Sequence, residues 1–213
     1  MSGLAFDPQV VLTGGTVRLR PIHEGDLDAA WEMLCDDEGR RLTGTHTEFT
    51  REAADRWYRS RGQDRDRLDL AIATLDADRF VGEAVLNDLD PDNRSCSFRI
   101  SLLGPSVFGR GYGTEATRLI LDHAFATVGV HRVGLEVYDF NVRARHVYEK
   151  VGFRHEGTLR EALSWEGRFH DVLVMGLLAS EWRGTGPGDP AGRPARAATA
   201  GPGDRPAGSR PVR

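Results

Sequence analysis

Cysteine is scarce in this chain, with only Cys35 and Cys96 among 213 residues. Two thiols make neither a disulfide framework nor a zinc-binding spacing, so reduced cysteines in a cytoplasmic protein are expected. Long apolar runs are also missing. No stretch approaches the roughly 20 residues that cross a bilayer as a helix, so no such span is expected. The N-terminus has neither the basic start nor the apolar core of a signal peptide. An excess of positive charge is lacking too. The net charge is −4, which leaves no general footprint for nucleic acid. The seven histidines show no H-E-x-x-H or similar spacing, so no metal is expected. Gly184 to Arg213 contains no Leu, Ile, Met or aromatic residue. Such a segment cannot bury enough surface to offset its ordering entropy, and it reads as a disordered tail. Its arginines could touch RNA or an acidic surface, but an inert tail is the simpler reading.

What is present is an ordinary balance for a globular domain, with 28% charged and 39% hydrophobic residues. Residues 1–15 carry no periodic pattern and read as a loose lead-in. Residues 16–183 read as one α/β domain, and 184–213 as the tail. Thr16 to Arg20 alternates and stops at Pro21, as a first strand does. Asp26 is placed to cap a helix whose apolar face is Leu27, Ala30, Trp31 and Leu34. Asp36 to Phe49 is polar and reads as a loop. Thr50 can cap a second helix, to about Arg61, with Ala53, Ala54 and Trp57 inward. The charged stretch from Gln63 to Asp69 reads as a solvated turn. Three strand-like runs follow in a meander, Leu70–Leu75, Phe80–Leu89 and Cys96–Leu103, joined by Asp-rich turns.

The next stretch is Phe108-Gly109-Arg110-Gly111-Tyr112-Gly113-Thr114-Glu115-Ala116. A helical pattern follows, because Ala116, Leu119, Ile120, His123, Ala124 and Thr127 fall on one face. The unit is a strand, a Gly-rich turn and a helix. Glycines let a ligand approach the backbone, and the first N–H groups of a helix have no intrahelical partner. With the positive end of the helix dipole, that arrangement suits a pyrophosphate. The plainer alternative is a tight turn without a ligand. A dinucleotide fingerprint G-x-G-x-x-G fails here, because its third glycine falls on Thr114.

A second informative stretch begins at Leu135-Glu136-Val137 and runs through Asn141 to Tyr148-Glu149-Lys150-Val151-Gly152-Phe153. Arg132 to Tyr138 reads as a strand, Asn141 caps a helix, and Gly152 ends it. Asn141 and Tyr148 lie two helical turns apart on one stripe. Glu136 faces opposite to Leu135 and Val137 on its strand. A strand end, a helix start and a phenol two turns along can meet at one pocket. Arg154–Trp165 and Phe169–Leu178 read as a hairpin turning at Glu166-Gly167.

These two stretches resemble the GNAT N-acyltransferases. Gly111 and Gly113 fall on the two small positions of their pyrophosphate loop, Q/R-x-x-G-x-G/A, and Phe108 stands where Gln or Arg is usual. The wording Gly-Arg-Gly-Tyr-Gly-Thr-Glu-Ala, with Leu-Glu-Val…Asn…Tyr-Glu-x-x-Gly-Phe, is similar to the Rim-type branch, which acetylates ribosomal-protein N-termini and assorted small amines. The resemblance covers roughly residues 16–183. It implies the GNAT fold, a mixed sheet of about seven strands with helices on both faces. It implies acetyl-CoA as acyl donor and a primary amine as acceptor, either a protein N-terminus or a small molecule. A monomer or a homodimer is compatible with it.

The same resemblance implies Glu136 as general base and Tyr148 as general acid. It places Ile100, Leu102, Phe108, Gly109, Arg110, Gly111, Tyr112, Gly113, Thr114 and Asn141 at the coenzyme. Chemically, a substrate ammonium must lose a proton before it can attack, and a carboxylate can take it. Backbone N–H groups along Ile100 to Leu103 are candidates to hold the oxyanion. A phenol near pKa 10 can protonate a leaving thiolate whose pKa lies about 1.5 units lower. Glu83, Asp88 and Asp171 are reserve bases. Cys96 lacks a partner histidine and reads as a small strand residue rather than a nucleophile. The segment from Leu159 to Trp165 and the loop from Arg40 to Glu48 are expected to wall the acceptor site. A non-catalytic CoA-binding module on the same fold, or a nucleotide-binding protein, would share the glycines and remain as alternatives.

Overall fold

A computed structural model of the chain describes residues 4–62 and 64–184. Its centre is an eight-stranded sheet in the order β1-β2-β3-β4-β5-β6-β8-β7. In chain order the strands are β1 (Leu12–Thr13), β2 (Val17–Pro21), β3 (Leu68–Thr74), β4 (Phe80–Asp90), β5 (Ser95–Leu102), β6 (Arg132–Tyr138), β7 (Arg154–Trp165) and β8 (Arg168–Leu178). The two-residue β1 is the strand the sequence pattern does not reveal. Five helices accompany the sheet: α1 (Leu27–Cys35), α2 (Asp37–Thr43), α3 (Arg51–Arg59), α4 (Tyr112–Asp122) and α5 (Val142–Val151).

The alternation of side chains along the strands divides the core in two. Leu70 and Ile72 of β3 join the larger cluster with Ile120 and Leu121 of α4 and Val151 of α5. Ala71, between them, faces the other way and joins Ala30 and Met33 of α1 and Tyr58 of α3. All seven residues of β3 are buried, as a strand covered on both faces requires. Helices therefore lie on both faces of the sheet.

All neighbouring strands pair antiparallel except β5 and β6. That parallel pair needs a crossover, which α4 supplies. Its ladder is short: Ser95↔Arg132, Cys96↔Val133 and Ser97↔Gly134. Yet β5 continues to Leu102 and β6 to Tyr138. Beyond Ser97 and Gly134 the two strands part, and the sheet opens between them.

Several local expectations give way to tertiary contacts. The Asp26 side chain does not cap α1. It accepts two bonds from the Arg20 guanidinium, at 2.7 and 2.9 Å, and one from the His23 N–H at 2.9 Å. The expected loop from Asp36 to Phe49 contains α2. Asp36 caps it by accepting the Gly39 N–H at 2.6 Å, and Gly44 ends it in the left-handed region at φ 63°. On α3, Ala54 and Tyr58 are the buried residues, while Trp57 turns outward. Asp69 is not in a solvated turn. It is buried in β3 and paired with Arg67 at 2.8 Å. The α4 face ends before the exposed Thr127, because the helix loosens into a π turn over His123–Val128. The lead-in is not wholly loose either, since Phe6 is buried and its N–H bonds to the Arg65 carbonyl at 3.0 Å. Gln63 and the tail beyond Gly184 lie outside the described residues.

Candidate active site

The Gly-rich stretch leaves the end of β5, makes a short 3-10 turn at Pro105–Val107 and enters α4 at Tyr112. Gly109 and Gly111 adopt φ values of 73° and 84°, where any L side chain is strained. Gly113 serves differently. It is helical, and a Cβ there would lie 3.4 Å from Leu102 Cδ1, so it lets α4 pack close to β5. The α4 ladder begins with the Glu115 N–H on the Gly111 carbonyl at 3.0 Å. The N–H groups of Tyr112, Gly113 and Thr114 therefore have no carbonyl behind them in the helix, and they sit at its positive end. The Glu115 side chain plays no part in this cradle. It reaches back to the N–H groups of Gly15 and Thr16 and to the Thr16 hydroxyl, tying α4 to the β1–β2 turn.

A cleft of about 880 Å³ runs from these N–H groups into the opening between β5 and β6. Ile100 and Leu102 line it from β5, and Phe108, Gly109, Gly111, Tyr112, Gly113 and Thr114 from the turn. Arg110 is exposed and is not among the residues that line it. Tyr148 lines the cleft from α5 and is only 6% exposed, edge-on to Phe98 at 6.2 Å and to Phe153 at 5.9 Å. Burial pushes its phenol above the usual value, so it keeps its proton at neutral pH. Glu136 lines the same cleft but is exposed, while Leu135 and Val137 beside it belong to the core with Tyr148. Glu136 and Tyr148 thus approach from opposite faces of the sheet, and the parting of β5 and β6 connects them.

Asn141 also lines the cleft, but its side chain is engaged within the protein. Its Oδ1 accepts the Ala144 N–H at 3.2 Å, capping α5, and its Nδ2 donates to the Leu42 carbonyl at 3.4 Å. One expectation for the oxyanion site is corrected. The Leu103 N–H donates to the Val81 carbonyl at 2.9 Å, so it is not free to hold a ligand.

The Acetyltransferase (GNAT) domain family matches residues 16–154. The chain belongs to the GNAT acetyltransferase family. Among GNAT relatives, the probable N-acetyltransferase YjcK of Bacillus subtilis is 28% identical over 180 residues, which are 79% of this chain and 97% of that protein. The spermidine N(1)-acetyltransferase of Vibrio cholerae is 30% identical over 118 residues, 55% of this chain and 68% of that one. In fold, the chain is similar to the crystal structure of the Vibrio cholerae spermidine N-acetyltransferase in complex with CoA and spermine. The TM-score is 0.72 at 24% identity, over 78% of this chain and 96% of that one. A GNAT acetyltransferase from Bacillus anthracis gives 0.71 at 19% identity, over 81% and 100% of the two chains.

On this GNAT frame, the departure at Phe108 has a structural counterpart. The Arg143 guanidinium, from the first turn of α5, lies 3.6 Å over the Phe108 ring. A cation thus stands beside Phe108, the position where Gln or Arg is usual. Sequence reading missed Arg143, which lines the cleft together with Arg40 and Arg99. Among the reserve bases, Glu83 and Asp88 line the cleft. Burial, aided by Asp69, pushes the Glu83 carboxyl up to about 7, and the Tyr58 hydroxyl donates to it at 3.3 Å. Asp171 is occupied elsewhere, accepting the Glu161 N–H at 2.8 Å in a bulge of β7. Burial pushes the Cys96 thiol up to about 12, which leaves no thiolate at neutral pH. The two expected acceptor walls meet where His46 stacks on Trp165 at 4.9 Å. Among the described residues, no cluster of His, Cys, Asp and Glu could hold a metal ion.

Proposed function

We propose that this protein transfers acetyl from acetyl-CoA to a primary amine by direct attack in a ternary complex. The observation that carries the proposal is the coincidence of three features in one cleft. These are the parting of β5 and β6, the Gly-rich start of α4 at its edge, and Tyr148 entering from α5. The free N–H groups of Tyr112, Gly113 and Thr114 receive the pyrophosphate. The pantetheine arm takes the opening along Ile100 and Leu102, where β5 has no strand partner on that side.

Glu136 takes a proton from the acceptor ammonium, directly or through a water, and the amine nitrogen attacks the thioester carbonyl carbon. Unpaired N–H groups on β5 up to Leu102 steady the oxyanion. As the intermediate collapses, the C–S bond breaks and Tyr148 donates its proton to the leaving sulfur. The raised phenol makes Tyr148 a dependable donor and a weaker acid than a free tyrosine, so its hydrogen bond to the sulfur matters before full transfer. Within the family, the Gly-Arg-Gly-Tyr-Gly-Thr-Glu-Ala wording supports the Rim-type branch.

Thermal melting with ligand tests the donor. Acetyl-CoA at 100 times its dissociation constant adds about 2.7 kcal/mol, whereas NAD and ATP should add nothing. Free-thiol release with amines then tests turnover. A protein that binds acetyl-CoA but releases no thiol faster with any amine is a silent CoA-binding module, and the proposal fails.

A further inference from the structure

The acceptor end of the cleft carries charge in a particular order. On the sheet face opposite Tyr148, β4 presents Glu83, β5 presents Arg99, and β6 presents Glu136, and all three line the cleft. Arg99 pairs in register with Val85, two residues along β4 from Glu83. Its charge reaches Glu83 on one side and Tyr138 on the other, opposing the rise in both groups. Continuing the parallel register past Ser97↔Gly134 brings Arg99 and Glu136 to opposite lips of the opening. Arg99 is exposed there, and among the described residues no carboxylate forms an ion pair with it. Two further groups in the cleft lack partners: Arg40 Nε and Asn87 Oδ1 are buried without a hydrogen bond. Around them, Met33 and Leu34 of α1 and Leu42 of α2 supply apolar wall.

A polyamine is a poor occupant of such a site. Its second and third ammonium groups would face Arg99, and like charges about 4 Å apart at a protein surface repel strongly. The complement of a guanidinium flanked by two carboxyl groups is an amine that carries an anion. Resting on the acetyltransferase reading above, we infer that the acceptor bears a carboxylate next to its amine, as an α-amino acid does, and that Arg99 binds it. The guanidinium fork suits a bidentate carboxylate, and it holds the ammonium beside Glu136, which removes its proton. The apolar wall then receives the side chain.

The test compares amino acids with their matching amides and decarboxylated amines, for instance leucine, leucinamide and isoamylamine, with spermidine alongside. Thiol release should favour the carboxylated member of the best set by about 10- to 100-fold in kcat/KM, the range for one hydrogen-bonded charge pair. Arg99→Ala should remove that preference by raising KM, with kcat changed little, and Arg99→Lys should restore part of it. The melting shift with acetyl-CoA should be the same in both variants as in the wild type. Amides or spermidine used as well as the acids, or a preference that survives Arg99→Ala, would overturn the inference while leaving an acetyltransferase. Loss of the acetyl-CoA shift in Arg99→Ala would also overturn it, by assigning Arg99 to the donor. Titration of the amino acids into CoA-loaded protein separates the two readings. Arg99-dependent binding without thiol release would uphold the carboxylate site and sink the catalytic proposal.

Discussion

At the scale of single residues, Tyr148 and Glu83 carry the clearest consequences. Tyr148→Phe keeps the ring against Phe98 and Phe153 and removes only the proton donor. It should lower kcat by about 10²-fold, with the acetyl-CoA melting shift intact. Full activity at neutral pH would mean that the thiolate leaves without this phenol. Glu83 gives a pH signature. Burial, and after it Asp69 on β3, pushes its carboxyl up, while Arg99 on β5, the Tyr58 hydroxyl on α3 and Arg67 pull it down, and the balance is about 7. Between the ordinary value near 4.5 and 7, the folded protein holds a proton that the unfolded chain has released. The stability this group contributes is therefore complete at low pH and lost as pH rises through 7. Glu83→Gln cannot ionise and escapes that loss. Measured against wild type, its melting temperature should be relatively higher at pH 8 than at pH 5. An identical difference at both pH values would mean that Glu83 ionises freely. Glu136→Gln should lower kcat, with the defect shrinking as pH approaches the pKa of the acceptor amine. An α-amino acceptor, near 8, recovers earlier than a lysine side chain, near 10.4.

At the scale of elements, the start of α4 and the short α2 do separate work. Gly111→Asp adds strain at φ 84° and a negative charge beside the N–H groups of α4. Acetyl-CoA should then give no melting shift, while the unliganded protein stays folded. A normal shift would reduce the loop to a turn. For α2, the Asp36 cap and the left-handed Gly44 set both ends. Asp36→Ala should cost about 1 kcal/mol of stability. Because α2 carries Arg40, Leu42 and Thr43 into the acceptor side of the cleft, the same change should raise KM for the amine and leave acetyl-CoA binding alone.

At the scale of the whole molecule, the fold is held by two cores on one sheet and by a buried ion pair that joins β2 to the residue just before α1. Arg20 and Asp26 are 8% and 2% exposed. Removing one partner strands the other's charge in a poor solvent, although Arg20 keeps Asp78 at 3.0 Å. Asp26→Ala should cost about 3 kcal/mol and lower the melting temperature by on the order of 10 °C. Much of this architecture is legible in the residue pattern. The meander, the Gly-rich entry to α4, the Asn141-to-Gly152 helix and the hairpin at Glu166-Gly167 each rest on periodicity, a cap or a turn residue, all properties of neighbours in the chain. Alternation also placed Glu136 opposite Leu135 and Val137. Other features depend on partners far along the chain. Asp26 looks like a helix cap until folding brings Arg20 beside it. In α2 a mostly polar run forms a helix because its caps are satisfied and because it packs over β5 and β6, so no apolar period marks it. Trp57 and Tyr58 are adjacent aromatics, and only the surface beneath α3 settles that Tyr58 goes in. Above all, a strand's pattern says which residues share a face but not how far it stays paired. The parting of β5 and β6 after three pairs, and with it the meeting of Arg99, Glu83, Glu136 and Tyr148 around one opening, follows from how α4, α5 and the sheet pack together.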